Sequence, residues 1–108
     1  MNNNGLLSAL SLCRKAGALV TGFDPVKEAV FSGKAVLVLL ASDLSPKTAL
    51  RVKRFCEDFV ECADMNLTME ELSPITRKPA GVFAVTDDNL AKLCKGKLSV
   101  KKEEYDGN

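Results

Sequence analysis

Residues Ala35-Val36-Leu37-Val38-Leu39-Leu40-Ala41 form an unbroken apolar run, bounded by Lys34 on one side and Ser42-Asp43 on the other. A strand with one wet face alternates apolar and polar residues. A short run without alternation describes a strand covered on both faces. A chain built around such a strand has to supply a layer of structure on each side of it. Gly81-Val82-Phe83-Ala84-Val85 is a second run of the same kind.

The segments between these runs read as helices and short strands. Leu6, Ala9, Leu10 and Cys13 fall at i, i+3, i+4 and i+7, one helical face, and Gly17 stops that helix. Ala18-Leu19-Val20 is a short strand. Asp24-Pro25 then opens a second helix, with Asp24 expected as N-cap and Pro25 at the first helical position. Val26, Ala29 and Val30 form its inward stripe, and Gly33 ends it. Ser45-Pro46 opens a third helix by the same device, with Ala49, Val52, Phe55, Cys56 and Phe59 expected on its buried side. Val60 to Ala63 is a short strand, and Thr68 to about Leu72 a weak helical turn stopped by Pro74. Asp87 or Asp88 caps a last helix carrying Leu90, Leu93 and Cys94. Strands alternating with helices predict an α/β fold whose four-stranded sheet is mostly parallel or mixed. At 108 residues one core suffices, placed over 6–95, with 96–108 expected as a polar tail.

Composition narrows the chemistry. The chain is 46% apolar and 27% charged, which is ordinary for a globular protein, and no apolar run reaches the roughly 18 residues of a membrane span. Met1-Asn2-Asn3-Asn4-Gly5 lacks the positive n-region of a secretory signal, so a cytoplasmic location is expected. Cys13, Cys56, Cys62 and Cys94 stand apart with no C-x-x-C pair, and there is no histidine. Neither a metal site nor a Cys–His or Ser–His nucleophile is expected, and no catalysis or cofactor. Cys13, Cys56 and Cys94 fit apolar helix faces as small core residues. The net charge of +1 conceals segregation: residues 1–56 carry eight Lys/Arg against three Asp/Glu, whereas 57–74 carry six acids and no base.

Four segments, in order, carry a resemblance: Leu-Cys-Arg-Lys-Ala-Gly-Ala-Leu-Val-Thr-Gly (12–22), Ser-Gly-Lys-Ala-Val-Leu-Val-Leu-Leu-Ala-Ser-Asp (32–43), Arg-Val-Lys-Arg-Phe-Cys (51–56) and Gly-Val-Phe-Ala-Val-Thr-Asp (81–87). Together they resemble the ribosomal-protein superfamily that binds kink-turn RNA, of L-seven-Ae and L-thirty-e type, and within it the small bacterial YlxQ-like proteins. The resemblance implies a three-layer αβα sandwich and a partner of structured RNA, with ribosomal RNA among the candidates. No membrane partner is implied, and protein partners stay open.

Carried over residue by residue, the resemblance implies two contact regions. The first is the N-terminus of the second helix: Gly22, Phe23, Asp24, Lys27 and Glu28. Gly22 matches the glycine that opens the turn. Asp24 stands where the tightest binders have Asn, and a carboxylate cannot supply the amide's donor. Pro25 stands where Glu is frequent, Glu28 where Lys is usual, and Ala18 where Lys is common. These departures imply weaker binding than in the tightest relatives. The second region is the 75–80 loop, in which Ile75 and Pro79 would pack on an extruded base while Arg77 and Lys78 meet the backbone, with Thr76 a further contact residue of the loop. Phe23 is either a packing residue against its helix or a stacking surface for a base. Arg14, Lys15 and Lys34 fit a solvated face as well as they fit RNA, whereas Arg51, Lys53 and Arg54 read as an ordinary exposed helix side and are not expected to contact RNA. Arg77-Lys78 is the basic pair without a helix-pattern explanation. Two rivals remain beside a non-catalytic RNA-binding protein. One is a protein–protein module that has lost RNA binding and docks through the acidic 57–71 stretch. The other is a small-ligand binder using helix N-termini.

Overall fold

A computed structural model of the chain describes the backbone of residues 3–106 and the side chains of 5–98. In chain order the elements are α1 (Asn3–Lys15), β1 (Leu19–Thr21), α2 (Phe23–Phe31), β2 (Leu37–Leu40), α3 (Pro46–Cys56), β3 (Cys62–Asp64), α4 (Met69–Thr76), β4 (Val82–Val85) and α5 (Asp88–Asp106). The sheet runs β1-β4-β2-β3. β2 pairs in parallel with β3, while β4 is antiparallel to both β1 and β2. The sheet is therefore mixed.

The apolar runs become the two central strands because only there are both faces covered. Every residue of β2 and β4 is buried. Alternate side chains go to opposite layers. Leu37, Leu39, Phe83 and Val85 join Leu6, Leu10 and Cys13 of α1, Leu72 of α4 and Cys94 of α5. Val38, Leu40, Val82 and Ala84 meet Val26 and Val30 of α2 and Val52 and Cys56 of α3 on the other side. The result is an αβα sandwich.

The ends of the helices follow from capping, with two departures from expectation. Ser45 accepts from the Thr48 amide at 3.2 Å with Pro46 in the first turn, as its sequence suggests. Asp87 caps α5 by accepting from the Leu90 amide at 2.9 Å. Asp24, however, is not a cap. α2 starts two residues earlier, with Gly22 as N-cap at φ 103°, ψ 151°, and no side chain caps its first turn. Pro25 still sits in that turn, where its missing N–H costs no helical bond.

The second departure is α4, which runs through Pro74 instead of ending before it. A capping box holds its start: Thr68 accepts from the Glu71 amide at 3.1 Å, and Glu71 accepts from the Thr68 amide at 2.9 Å. Pro74 cannot donate to the Glu70 carbonyl, but the Ser73 hydroxyl does so instead, at 2.9 Å. The orphan is satisfied and the helix continues to a left-handed cap at Arg77.

Two further expectations change. Phe59, expected inside, lies beyond the end of α3 and is 63% exposed. The polar stretch after Gly96, expected as a tail, continues α5 to Asp106. Side chains beyond residue 98, and residues 107–108 of that stretch, lie outside the described residues.

Three cysteines pack as expected. Cys13, Cys56 and Cys94 are buried, with the Cys13 and Cys94 thiols 3.9 Å apart between α1 and α5. Burial, followed by the nearby Cys56 thiol, pushes the Cys62 thiol up to about 12. Such a group favours the fold fully while it is protonated in both states, below its ordinary value of 9.0. As pH rises from there toward 12, the unfolded chain ionises and the folded one does not, so this contribution is lost. Urea midpoints measured across that range should fall for the wild type and fall less for Cys62→Ala. An equal alkaline decline in both would mean that Cys62 ionises freely in the fold.

Candidate nucleic-acid interface

The strand register places several turns at one end of the sheet. Thr21 pairs with Phe83, and Leu40 with Val82. Beyond them the Gly22 amide donates to the Val82 carbonyl at 2.9 Å, and the Ala41 amide to the Gly81 carbonyl at 2.9 Å. The turn that opens α2 is thus tied to the residues that close the loop between α4 and β4. The two segments singled out from sequence, about fifty residues apart in the chain, therefore adjoin strands at the same end of the sheet.

At the α2 end, Gly22 holds the turn and its carbonyl accepts from Val26. Its φ and ψ lie in a region that residues with a Cβ almost never occupy. Asp24, Lys27 and Glu28 are all exposed on α2, with Asp24 and Glu28 one turn apart. The uncapped first turn presents backbone N–H groups and the positive end of the helix dipole to solvent. Phe23 is half-buried. Its ring packs edge-to-face on Phe55 of α3 at 5.5 Å, and the Arg51 guanidinium lies 4.6 Å above its centroid.

The loop is shorter than the sequence suggests. Ile75 belongs to α4 and is buried in the core, so it cannot pack on a base from outside. The exposed segment is Arg77-Lys78-Pro79. Thr76 donates its hydroxyl to the Lys78 carbonyl and folds the loop on itself. Arg77 has φ 68° and is the only non-glycine among the described residues with positive φ. Gly81 closes the loop against the body: a Cβ there would stand 2.8 Å from Leu44 Cδ1.

Charge sorts the remaining bases. Arg14, Lys15 and Lys34 flank the opposite end of the sheet, where Leu19 and Leu37 pair with Val85. Lys53 is paired with Asp64 at 3.3 Å, and Lys95 with Glu61 at 2.7 Å. Glu71 is engaged in the capping box. Half of the six carboxylates in the 57–74 stretch are therefore already used within the fold. Among the described residues no group of three or more His, Cys, Asp or Glu is placed to hold a metal ion, and no helix is long and apolar enough to cross a membrane.

Sequence reasoning missed one feature. Phe23, Lys27 and Phe31 form a stripe at i, i+4 and i+8 on α2, facing Arg51, Arg54 and Phe55 of α3 across an open groove of about 440 Å³. The i, i+4 spacing of Arg51 and Phe55 carries the signal; Phe55 packs against the core as expected but is only half-buried, so one side of its ring also faces the groove.

A mixed β1-β4-β2-β3 sheet between two helical layers, with an open helix N-terminus and a basic loop at one end of the sheet, defines a class of fold and a place on it. Residues 5–95 match the ribosomal protein L7Ae/L30e/S12e/Gadd45 family, and the chain belongs to that family. It is 28% identical over 95 residues to the RNA-binding protein YlxQ of Enterococcus faecium, covering 87% of this chain and 91% of that protein. Among solved structures it is similar to a protein of unknown function from Bacillus halodurans, at 28% identity and TM-score 0.72, covering 83% of this chain and 96% of the other. The 15.5kD RNA binding protein of Giardia lamblia shares the fold at TM-score 0.71 and 21% identity, covering 91% and 85%.

Proposed function

We propose that the protein binds structured RNA without catalysing a reaction, and that it recognises a bent or bulged, kink-turn-like element by shape and phosphate contacts. The observation that carries this reading is the Gly22–Val82 hydrogen bond, which ties the uncapped start of α2 to the strand that the loop bearing Arg77 and Lys78 enters. Backbone amides at a helix start suit phosphate or base-edge acceptors, and two exposed cations on a loop at the same end of the sheet suit an adjacent strand. Family membership and the similarity to an RNA-binding protein support the same reading. The opposing carboxylates Asp24 and Glu28 limit affinity. The ion pairs made by Glu61 and Asp64 weigh against a protein-docking acidic face, because they leave less free negative charge there.

The test is a salt-resolved titration of a bulged hairpin RNA with wild type and Glu28→Lys. The wild type is expected to bind, with affinity falling as salt rises. Glu28→Lys replaces a repulsive charge with an attractive one and is expected to bind more tightly, with a slope steeper by up to roughly two. Absence of binding even at low salt would overturn the proposal. An unchanged slope in the variant would remove Glu28 from the contact face.

A further inference from the structure

We propose that the groove between α2 and α3 is a second RNA-contact surface, which takes a short unpaired stretch leading away from the structured element. This rests on the RNA-binding reading above and adds to it a different surface and a different kind of substrate. Four aromatic rings occur in sequence on this face: Phe23 against Phe55 at 5.5 Å, Phe55 against Phe31 at 6.0 Å, and Phe31 against Phe59 at 5.3 Å. A core would hide them, yet Phe31 is 52% exposed and Phe59 63%. Exposing this much aromatic surface in water is unfavourable unless a partner covers it.

The charges beside these rings select the partner. The groove is lined by Lys27, Arg51 and Arg54 and by no carboxylate. None of the three makes an ion pair among the described residues, unlike Lys53 on the same helix. Aromatic faces alternating with unneutralised cations are what single-stranded nucleic acid requires, since every base has a face to stack and every linkage a negative charge. Position points the same way. Phe23 lies at the start of α2, next to Gly22, so the groove is continuous with the candidate interface at the sheet edge. A strand leaving that interface along α2 would pass Lys27, then Phe31 and Phe59, with its phosphates near Lys27 and Arg54.

The experiment compares four RNAs at one salt concentration: a blunt bulged hairpin, the same hairpin with a short oligouridine extension at either end, a plain duplex with that extension, and the oligouridine alone. Each is titrated with wild type, Phe31→Ala with Phe59→Ala, and Arg54→Glu, and melting curves check that the variants fold. The extension should tighten binding of the wild type by about fivefold or more, the lower end of what one stacked base contributes. Both variants should lose that gain while binding the blunt hairpin as the wild type does. No gain from the extension on any RNA would overturn the proposal and leave the bulge-recognition reading intact. A gain that survives in both variants would also overturn it, by placing the extension elsewhere. If the bulge gives no advantage but the extension still does, through Phe31 and Phe59, the groove stands as an RNA surface and the bulge reading falls.

Discussion

Gly22→Ala is expected to lower stability by about 1–3 kcal/mol, the cost of holding a residue with a Cβ in a region reserved for glycine. Space is not the obstacle: the new Cβ would lie 3.5 Å from Pro25 Cδ, an ordinary contact. The backbone is the obstacle, at φ 103° and ψ 151°. Relaxing it would disturb the Gly22–Val82 hydrogen bond that fixes the start of α2 against β4. For a domain of this size the change corresponds to roughly 5–20 °C in Tm. Affinity for bulged RNA should fall as well, even at temperatures where the variant is fully folded, because the first-turn amides move. A variant that melts with the wild type would show that the turn does not depend on glycine.

Arg77→Gly combined with Lys78→Ala is expected to move stability and binding in opposite directions. Arg77 holds a left-handed conformation at φ 68°, which costs a residue with a Cβ about 1–2 kcal/mol. Glycine adopts it freely, although it adds freedom to the unfolded chain, so the net gain should be under about 1 kcal/mol. Lys78 is exposed, and its truncation should stay within about ±0.5 kcal/mol. Binding should weaken for all RNA sequences alike, with the slope of log affinity against log salt reduced by about two. An arginine kept at a position that favours glycine is the kind of local strain found at functional sites. A double variant that melts early and binds normally would make the pair structural and the loop irrelevant to RNA.

Much of this fold was legible because the decisive signals are local. The unbroken apolar runs at 35–41 and 81–85 could only be strands covered on both faces, and Ser45-Pro46 could hardly mean anything but a helix start. Where the reading failed, a tertiary contact or a single hydroxyl decided the outcome. Asp24 looks like a cap, yet the helix starts two residues earlier, where Gly22 is hydrogen-bonded to β4. Pro74 looks like a stop, yet Ser73 supplies the donor that proline lacks. Ile75 sits in the matched loop of the sequence, but extension of α4 carries it into the core.

The candidate interface was legible in outline for the same reason that its details were not. Its two segments could be named from the resemblance, whereas their arrival at one end of the sheet depends on the antiparallel pairing of β1 with β4. The aromatic groove was not legible. Phe55 and Phe59 follow Arg51 at i+4 and i+8, which fits a buried stripe as well as an outward one, and periodicity cannot tell which side of a helix faces water. Half-burial of Phe55 and exposure of Phe31 and Phe59 are facts of packing.

The most direct measurement on the proposed function is a filter-binding comparison, at one fixed salt concentration, between a kink-turn or internally bulged RNA and a plain duplex of equal length. Equal length keeps the phosphate term similar, so the difference isolates shape. The account predicts tighter binding to the bulged RNA by about tenfold or more, a discrimination of about 1.4 kcal/mol. Equal affinity for the two would contradict it, leaving the start of α2 and the Arg77–Lys78 loop as a basic edge without shape recognition.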